Sequence, residues 1–202
     1  MASKPGERKL QILQTLAEML QNPRGEKVTT AALAARLDVS EAALYRHFAS
    51  KAQMYEGLIE FIESSLFSVI NRITAEEASG LKQVESIIGL LLGFAQKNRG
   101  LTRVLLGDAL VHEHERLQAR INQLLDKVEA ALKQALRIGA TAGELPGGDS
   151  VAAAANLLLC YTLGRWQQYA KSGFSRDPMG QWPAQWPMLY AACLSQPAAS
   201  SA

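Results

Sequence analysis

Ser40, Glu41, Ala42, Tyr45 and Arg46 carry the clearest chemical signal in this chain. They lie within Thr29 to Lys51, TTAALAARLDVSEAALYRHFASK, where two short amphipathic segments flank a break at Asp38-Val39. Thr29 or Thr30 can N-cap the first segment, whose apolar side is Leu33, Ala34 and Leu37. Ser40, followed by Glu41, opens the second, which carries Ala43, Leu44 and Phe48. The small and polar groups of that second helix are left outside. Such a face can sink into the major groove of DNA, with Tyr45 and Arg46 reaching phosphates or base edges. Lys51, just past Phe48, is placed to meet a phosphate at the start of the next helix. Helices this short bury too little surface alone and must lean on a third, which is the helix-turn-helix arrangement.

Other candidate chemistry fails on spacing. His112-Glu113-His114 invites a metal, but residues two apart point to opposite sides of a helix, whereas zinc-binding helices place histidines four apart. The glycine-rich stretch at 139–148 lacks the Gly-Lys-Ser/Thr ending that cradles phosphate. No serine sits in a G-x-S-x-G elbow, and neither Cys160 nor Cys193 has a base arranged beside it. Pairs such as Glu60/Glu63 and Glu76/Glu77 read as solvated helix surface. The expectation is a binding protein, not an enzyme, with no cofactor and no metal.

The 202 residues are 48% hydrophobic and 20% charged, the balance of a globular chain with a sizeable core. The net charge of +2 is uneven: residues 1–51 hold eight Lys/Arg against five Asp/Glu, so the first quarter is basic and the remainder slightly acidic. The two cysteines sit in apolar helical patterns, as free buried thiols of a reducing cytoplasm would. No uncharged apolar run approaches ~18 residues, and no signal-peptide pattern opens the chain.

The elements that must position the outward face follow from apolar periodicity. Helix one is expected over 7–20, on Leu10, Leu13, Leu16, Ala17 and Leu20, with residues 1–5 a frayed arm. Residues 21–25 turn into the motif. A long helix over 51–73 bridges to the body, a loop fills 74–80, and a helix follows over 81–98. Its run Ile87 to Phe94 is apolar nearly all round and holds Gly89 and Gly93, each costing roughly 1 kcal/mol against alanine. Such glycines point to a close backbone or a docking partner. Asn98-Arg99-Gly100 is expected to close the helix through a left-handed glycine. Helices over 101–111, 113–138, 151–171 and 184–194 complete the chain, with a flexible loop over 139–149 and a disordered tail. The fold class is therefore all-α, with about nine helices. A DNA-binding domain spans 1–51, a helical body 52–195 and a tail 196–202.

Thr30, Leu33-Ala34, Val39-Ser40, Leu44-Tyr45, His47-Phe48 and Lys51 together resemble the DNA-binding segment of the TetR family of bacterial regulators. That resemblance implies a two-fold dimer with two reading heads and a palindromic duplex target. Thr29, Thr30, Tyr45, His47 and Lys51 would meet phosphates, and Ser40, Glu41, Ala42 and Arg46 would lie nearest the bases. The last two helices resemble the family's dimerisation pair through Leu157, Leu158, Tyr161, Leu163 and Trp166, with Trp186, Leu189, Tyr190 and Cys193, although an intramolecular core would give the same pattern.

Residues 58–66, 90–110 and 115–134 resemble one branch of that family, the nucleoid occlusion factors, which bind chromosomal sites and antagonise the division protein FtsZ. The resemblance places an FtsZ-facing surface on Phe61, Leu90, Gly93, Lys97 and Asn98, with Lys97 offering charge to the acidic FtsZ tail. It also implies a homodimer that forms higher oligomers on DNA, in the cytoplasm at the nucleoid. Three features depart from the branch: Val69 replaces an arginine, with Arg72 a turn on; Lys97 replaces another; and Ala31-Ala32 stand where a lysine would help hold DNA. The alternative is a transcriptional repressor released from its operator by a small ligand.

Overall fold

A computed structural model describes residues 5–22, 28–111, 113–145 and 150–191, and every regular element among them is helical. In chain order these are α1 Pro5–Met19, α2 Thr30–Arg36, α3 Glu41–Tyr45, α4 Lys51–Glu76, α5 Gly80–Lys97, α6 Arg99–Leu105, α7 Arg116–Thr141, α8 Ser150–Lys171 and α9 Trp182–Leu189. A single 3-10 turn, Asp108–Leu110, lies between α6 and α7. The N-terminal arm, the turn at 23–25, His112, residues 146–149, Cys193 and the tail lie outside the described residues.

Local chemistry fixes the head. Thr29 N-caps α2 by accepting from the Ala32 amide at 3.1 Å, and Ser40 does the same for α3 from Ala43 at 3.3 Å. Ser50 caps α4 from Gln53, whose side chain in return accepts from the Ala49 amide at 2.8 Å. Between α2 and α3, Asp38 takes a left-handed backbone with φ of 53°. Leu33, Ala34, Leu44 and Phe48 are buried in one cluster with Ile12 and Leu16 of α1 and with Leu20 just past its end. The α1 stripe therefore differs from the expected one. Ile12 belongs to the core, whereas Leu10 is 47% exposed and Leu13 and Ala17 are half-buried.

In the body, α5 and α7 pack along each other, α8 lies against α7, and α4 touches both α5 and α7. The buried side chains of α1 to α3 and of the body form one continuous cluster. Trp166 of α8 is fully buried, and its indole N–H donates to the Leu91 carbonyl of α5 at 3.0 Å.

Three boundaries depart from the sequence expectation. Helix α7 runs through Gly139 to Thr141 instead of giving way to a loop. There it crosses α5 so closely that a Cβ on Gly80 would sit 2.1 Å from the Gly139 amide nitrogen. The 101–111 segment is broken, because α6 ends at Leu105 and Gly107 turns left-handed with φ of 80°. Gly100 does not cap α5. Asn98 ends that helix, its side-chain Nδ2 donating to the Phe94 carbonyl at 2.8 Å, and Gly100 lies inside α6. A Cβ there would lie 2.0 Å from the Ala17 carbonyl oxygen. The glycine exists so that α6 can touch the backbone of α1.

That oxygen is main chain and cannot rotate aside, so Gly100→Ala should cost about 2 kcal/mol, lowering Tm by roughly 4–8 °C. An unchanged thermal unfolding curve would mean that α1 and α6 are not in this contact in solution.

Candidate nucleic-acid interface and partner groove

On α3 only Leu44 is buried; Glu41, Ala42 and Tyr45 point outward, flanked by exposed Ser40 and Arg46. Tyr45 is 45% exposed, high for a tyrosine with no packing partner to satisfy. The capping roles of Thr29 and Ser40 use their oxygens as acceptors, which leaves both hydroxyl protons free to donate to a phosphate. Thr30 is committed differently. Its hydroxyl donates to Glu41 Oε2 at 2.5 Å, tying the start of α2 to the start of α3 and orienting the Glu41 carboxylate. His47 is half-buried at the edge of this face. Of the basic residues on α1, Lys9 lies over the Phe48 ring at 5.7 Å and Arg8 donates to Gln11 at 2.6 Å.

Lys51 stands apart from the other phosphate candidates. Its ammonium is ion-paired with Glu113 from the segment before α7, the two side chains being 21% and 12% exposed. It also sits 5.6 Å from the centre of the Tyr55 ring. Burial raises the Tyr55 hydroxyl well above the usual tyrosine range, the Glu113 charge adding to the rise and Arg103 opposing it. Arg103 itself donates to the carbonyls of Leu20 and Asn22, at 3.2 and 3.1 Å, just past the end of α1. No sequence signal pointed to Glu113 or Arg103, because their partners lie 62 and about 80 positions away.

A groove of about 420 Å³ runs between α1, α4 and the junction of α5 with α6. It brings together three of the five residues expected to face a partner: Phe61, Lys97 and Asn98. Phe61 is 45% exposed and stands near the exposed Leu10, which sequence reasoning had assigned to the core side of helix one. Leu90 and Gly93 do not line the groove but lie on α5 two turns and one turn before Lys97, both half-buried. A Cβ on Gly93 would meet nothing within 4 Å, so no intramolecular packing demands a glycine there.

The dimerisation residues divide. Leu158 and Trp166 are fully buried in their own chain, so they cannot form the face presented to a second subunit. Tyr161 is half-buried, donating to Gln185 at 2.7 Å, with its ring 6.2 Å from Trp182. Trp186 and Leu189 are likewise half-buried. Of the expected α8 stripe Leu157 does face outward, in line with Ala153, Cys160 and Gly164, and α9 adds Ala184 and Met188. Leu157 and Met188 are 46% and 67% exposed. Cys160 was expected to be buried and is exposed. The change is one residue on the helix, about 100° of rotation.

Among the described residues no group of three or more His, Cys, Asp or Glu could hold a metal, and no helix is long and apolar enough to cross a membrane.

This geometry has known relatives. Residues 17–58 match the profile of the bacterial regulatory proteins, tetR family, and residues 78–193 match a SlmA-like profile described as tetracyclin repressor-like, C-terminal domain. A TetR-type regulator from Haloarcula marismortui superposes with a TM-score of 0.79 at 17% identity, covering 94% of this chain and all of the other. The Bacillus subtilis regulator FadR, solved with stearoyl-CoA, gives a TM-score of 0.72 at 18% identity over 89% of this chain and 96% of its own. Those structures establish the fold, an all-helical TetR-type architecture.

Sequence identity narrows this further. The nucleoid occlusion factor SlmA of a Marinomonas species is 49% identical over 189 residues, covering 94% of this chain and 96% of the relative. SlmA of Alteromonas mediterranea is 50% identical over 92% and 95%. The chain belongs to the SlmA family of nucleoid occlusion factors.

The exposed stripe makes one expectation specific. Leu157→Glu should convert dimers to monomers in sedimentation experiments without lowering helix content. Dimers that survive this change would place the subunit contact off the α8 stripe.

Proposed function

We propose that this chain reads palindromic duplex sites through α3 and, when bound there, antagonises FtsZ through the groove between α1, α4 and the α5–α6 junction. The observation that carries this reading is the position of the groove. One wall is a helix of the reading head and the opposite wall belongs to the body, so a ligand lying in it touches both. Docking there is therefore sensitive to how the head sits, and a duplex that fixes the head changes the affinity of the groove.

The roles divide by residue. Tyr45, Thr29, His47 and Lys51 contact phosphates, Thr30 beside them holds the Glu41 carboxylate in place, and Ser40, Glu41, Ala42 and Arg46 face the bases. Phe61 and the apolar groove floor take an apolar side chain of the FtsZ tail, and Lys97 attracts its acidic residues as a point charge, without the fork an arginine would offer. Leu90 and the open notch at Gly93 extend the same strip along α5, and the Asn98 side chain, bonded back to Phe94, gives the strip a fixed end. Two copies join through the outward stripe of α8 and α9, which places two heads on one duplex at the nucleoid. No step in this mechanism requires catalysis by the chain.

The decisive experiment is FtsZ assembly with GTP, followed by light scattering, with the protein alone, with random duplex and with a selected palindromic duplex. Disassembly that strengthens with the selected duplex supports the reading. Tight duplex binding with no effect on FtsZ would leave a ligand-released repressor instead. Arg46→Ala should weaken duplex binding at least tenfold while leaving the affinity for an FtsZ tail peptide unchanged, and Lys97→Ala should do the reverse. If both changes weaken both activities equally, the assignment of roles is wrong.

A further inference from the structure

The lysine best placed to meet the DNA backbone already holds an anion. Lys51 begins α4, at the positive end of a 26-residue helix capped by Ser50. Its ammonium is paired with Glu113, which reaches it from the segment between the 3-10 turn and α7. The pair is largely shielded from solvent at 21% and 12% side-chain exposure, so salt screens it poorly. The packing around it is apolar and aromatic: Tyr55 lies beneath the ammonium and is itself 1% exposed. The other nearby cation, Arg103, is occupied by the carbonyls of Leu20 and Asn22 and does not compete for Glu113. Glu113 is anchored from its own side, its amide donating to the Leu110 carbonyl at 2.8 Å.

We propose that Glu113 is an internal competitor for the DNA phosphate, so that Lys51 grips the backbone only by giving up a carboxylate of its own body. A carboxylate and a phosphate present the same kind of anionic oxygen to an ammonium, and one Lys51 cannot satisfy both fully. Binding at this position therefore gains only the difference between the two anions. Glu113 becomes a body residue that sets the affinity of the head, and forming the DNA complex releases the segment that leads into α7. This inference rests on the DNA-reading role proposed above.

The test is a double-mutant cycle in duplex binding, by fluorescence anisotropy, with the full-length protein and a selected palindromic duplex. Glu113→Gln should tighten binding about tenfold, the scale of one hydrogen bond to a charged group. Lys51→Gln should weaken binding and flatten the dependence of log K on log salt by roughly 0.9 for each head. In the Lys51→Gln background the gain from Glu113→Gln should vanish, because the carboxylate has no cation left to withhold. Glu115→Gln, an exposed neutralisation two residues on, should change affinity less than twofold and so excludes a simple net-charge effect. Thermal unfolding by circular dichroism verifies that each variant is folded. Should Glu113→Gln fail to fold, Glu113→Asp, which withdraws the carboxylate by one methylene, should show a smaller gain with the same dependence on Lys51. A gain that persists without Lys51, no gain at all, or an unchanged salt slope in Lys51→Gln overturns the proposal. A wild-type protein that binds no duplex selectively would overturn instead the DNA-reading role on which it rests.

Discussion

The structure depends on the contact between α6 and α1. Three short helices cannot hold a fixed orientation on a large body through side-chain packing alone, because a few buried leucines leave rotation cheap. Here the approach is backbone to backbone. Gly100 lets α6 ride on the Ala17 carbonyl, where any side chain would overlap it, and Arg103 satisfies two carbonyls beyond the end of α1 that would otherwise want water. The continuous apolar cluster from Ile12 to Trp182 then has a fixed frame to fill. The partner groove follows from the same contact, since its walls are α1 and the residues flanking Gly100.

Two of the joints between the head and the body differ in character. The α6–α1 contact is steric and hydrogen-bonded and has no obvious competitor. The Lys51–Glu113 contact is ionic and is open to replacement by another anion. In the mechanism proposed above, one joint is a hinge seat and the other a releasable tie, because a head held at every point could report nothing to the groove.

Much of this architecture is legible in the sequence, and the portion that is not has a physical cause. The helix-turn-helix is readable because Thr29 and Ser40 are local caps and Leu33, Ala34 and Leu44 are local periodicity; nearby residues decide the outcome. The exposed strip of α3 follows directly. Gly100 misleads because the usual reason for a glycine at a helix end, a left-handed cap, was overridden by a close approach from α1, far away in sequence. Helix α8 misleads because it is apolar or small on several sides, so periodicity cannot separate the face packed on α5 and α7 from the face left outside; Leu157 and Leu158 are equally hydrophobic letters. The Lys51–Glu113 tie spans 62 residues and has no local signature.

The distribution of tryptophan gives the molecule an optical consequence. The chain has three, Trp166, Trp182 and Trp186, and all lie at the α8–α9 end. Trp166 is sealed in the core on the Leu91 carbonyl, while Trp182, buried, and Trp186, half-buried, pack with ring centres 5.3 Å apart. The reading head has none. Intrinsic tryptophan emission is thus a gauge of the body alone: Trp166 records the packing of α8 on α5, and the α9 pair records the closure of that end. A duplex captured at α3 changes this emission only when the change reaches α5, so the native fluorophores already separate local capture of a duplex from a change felt in the body.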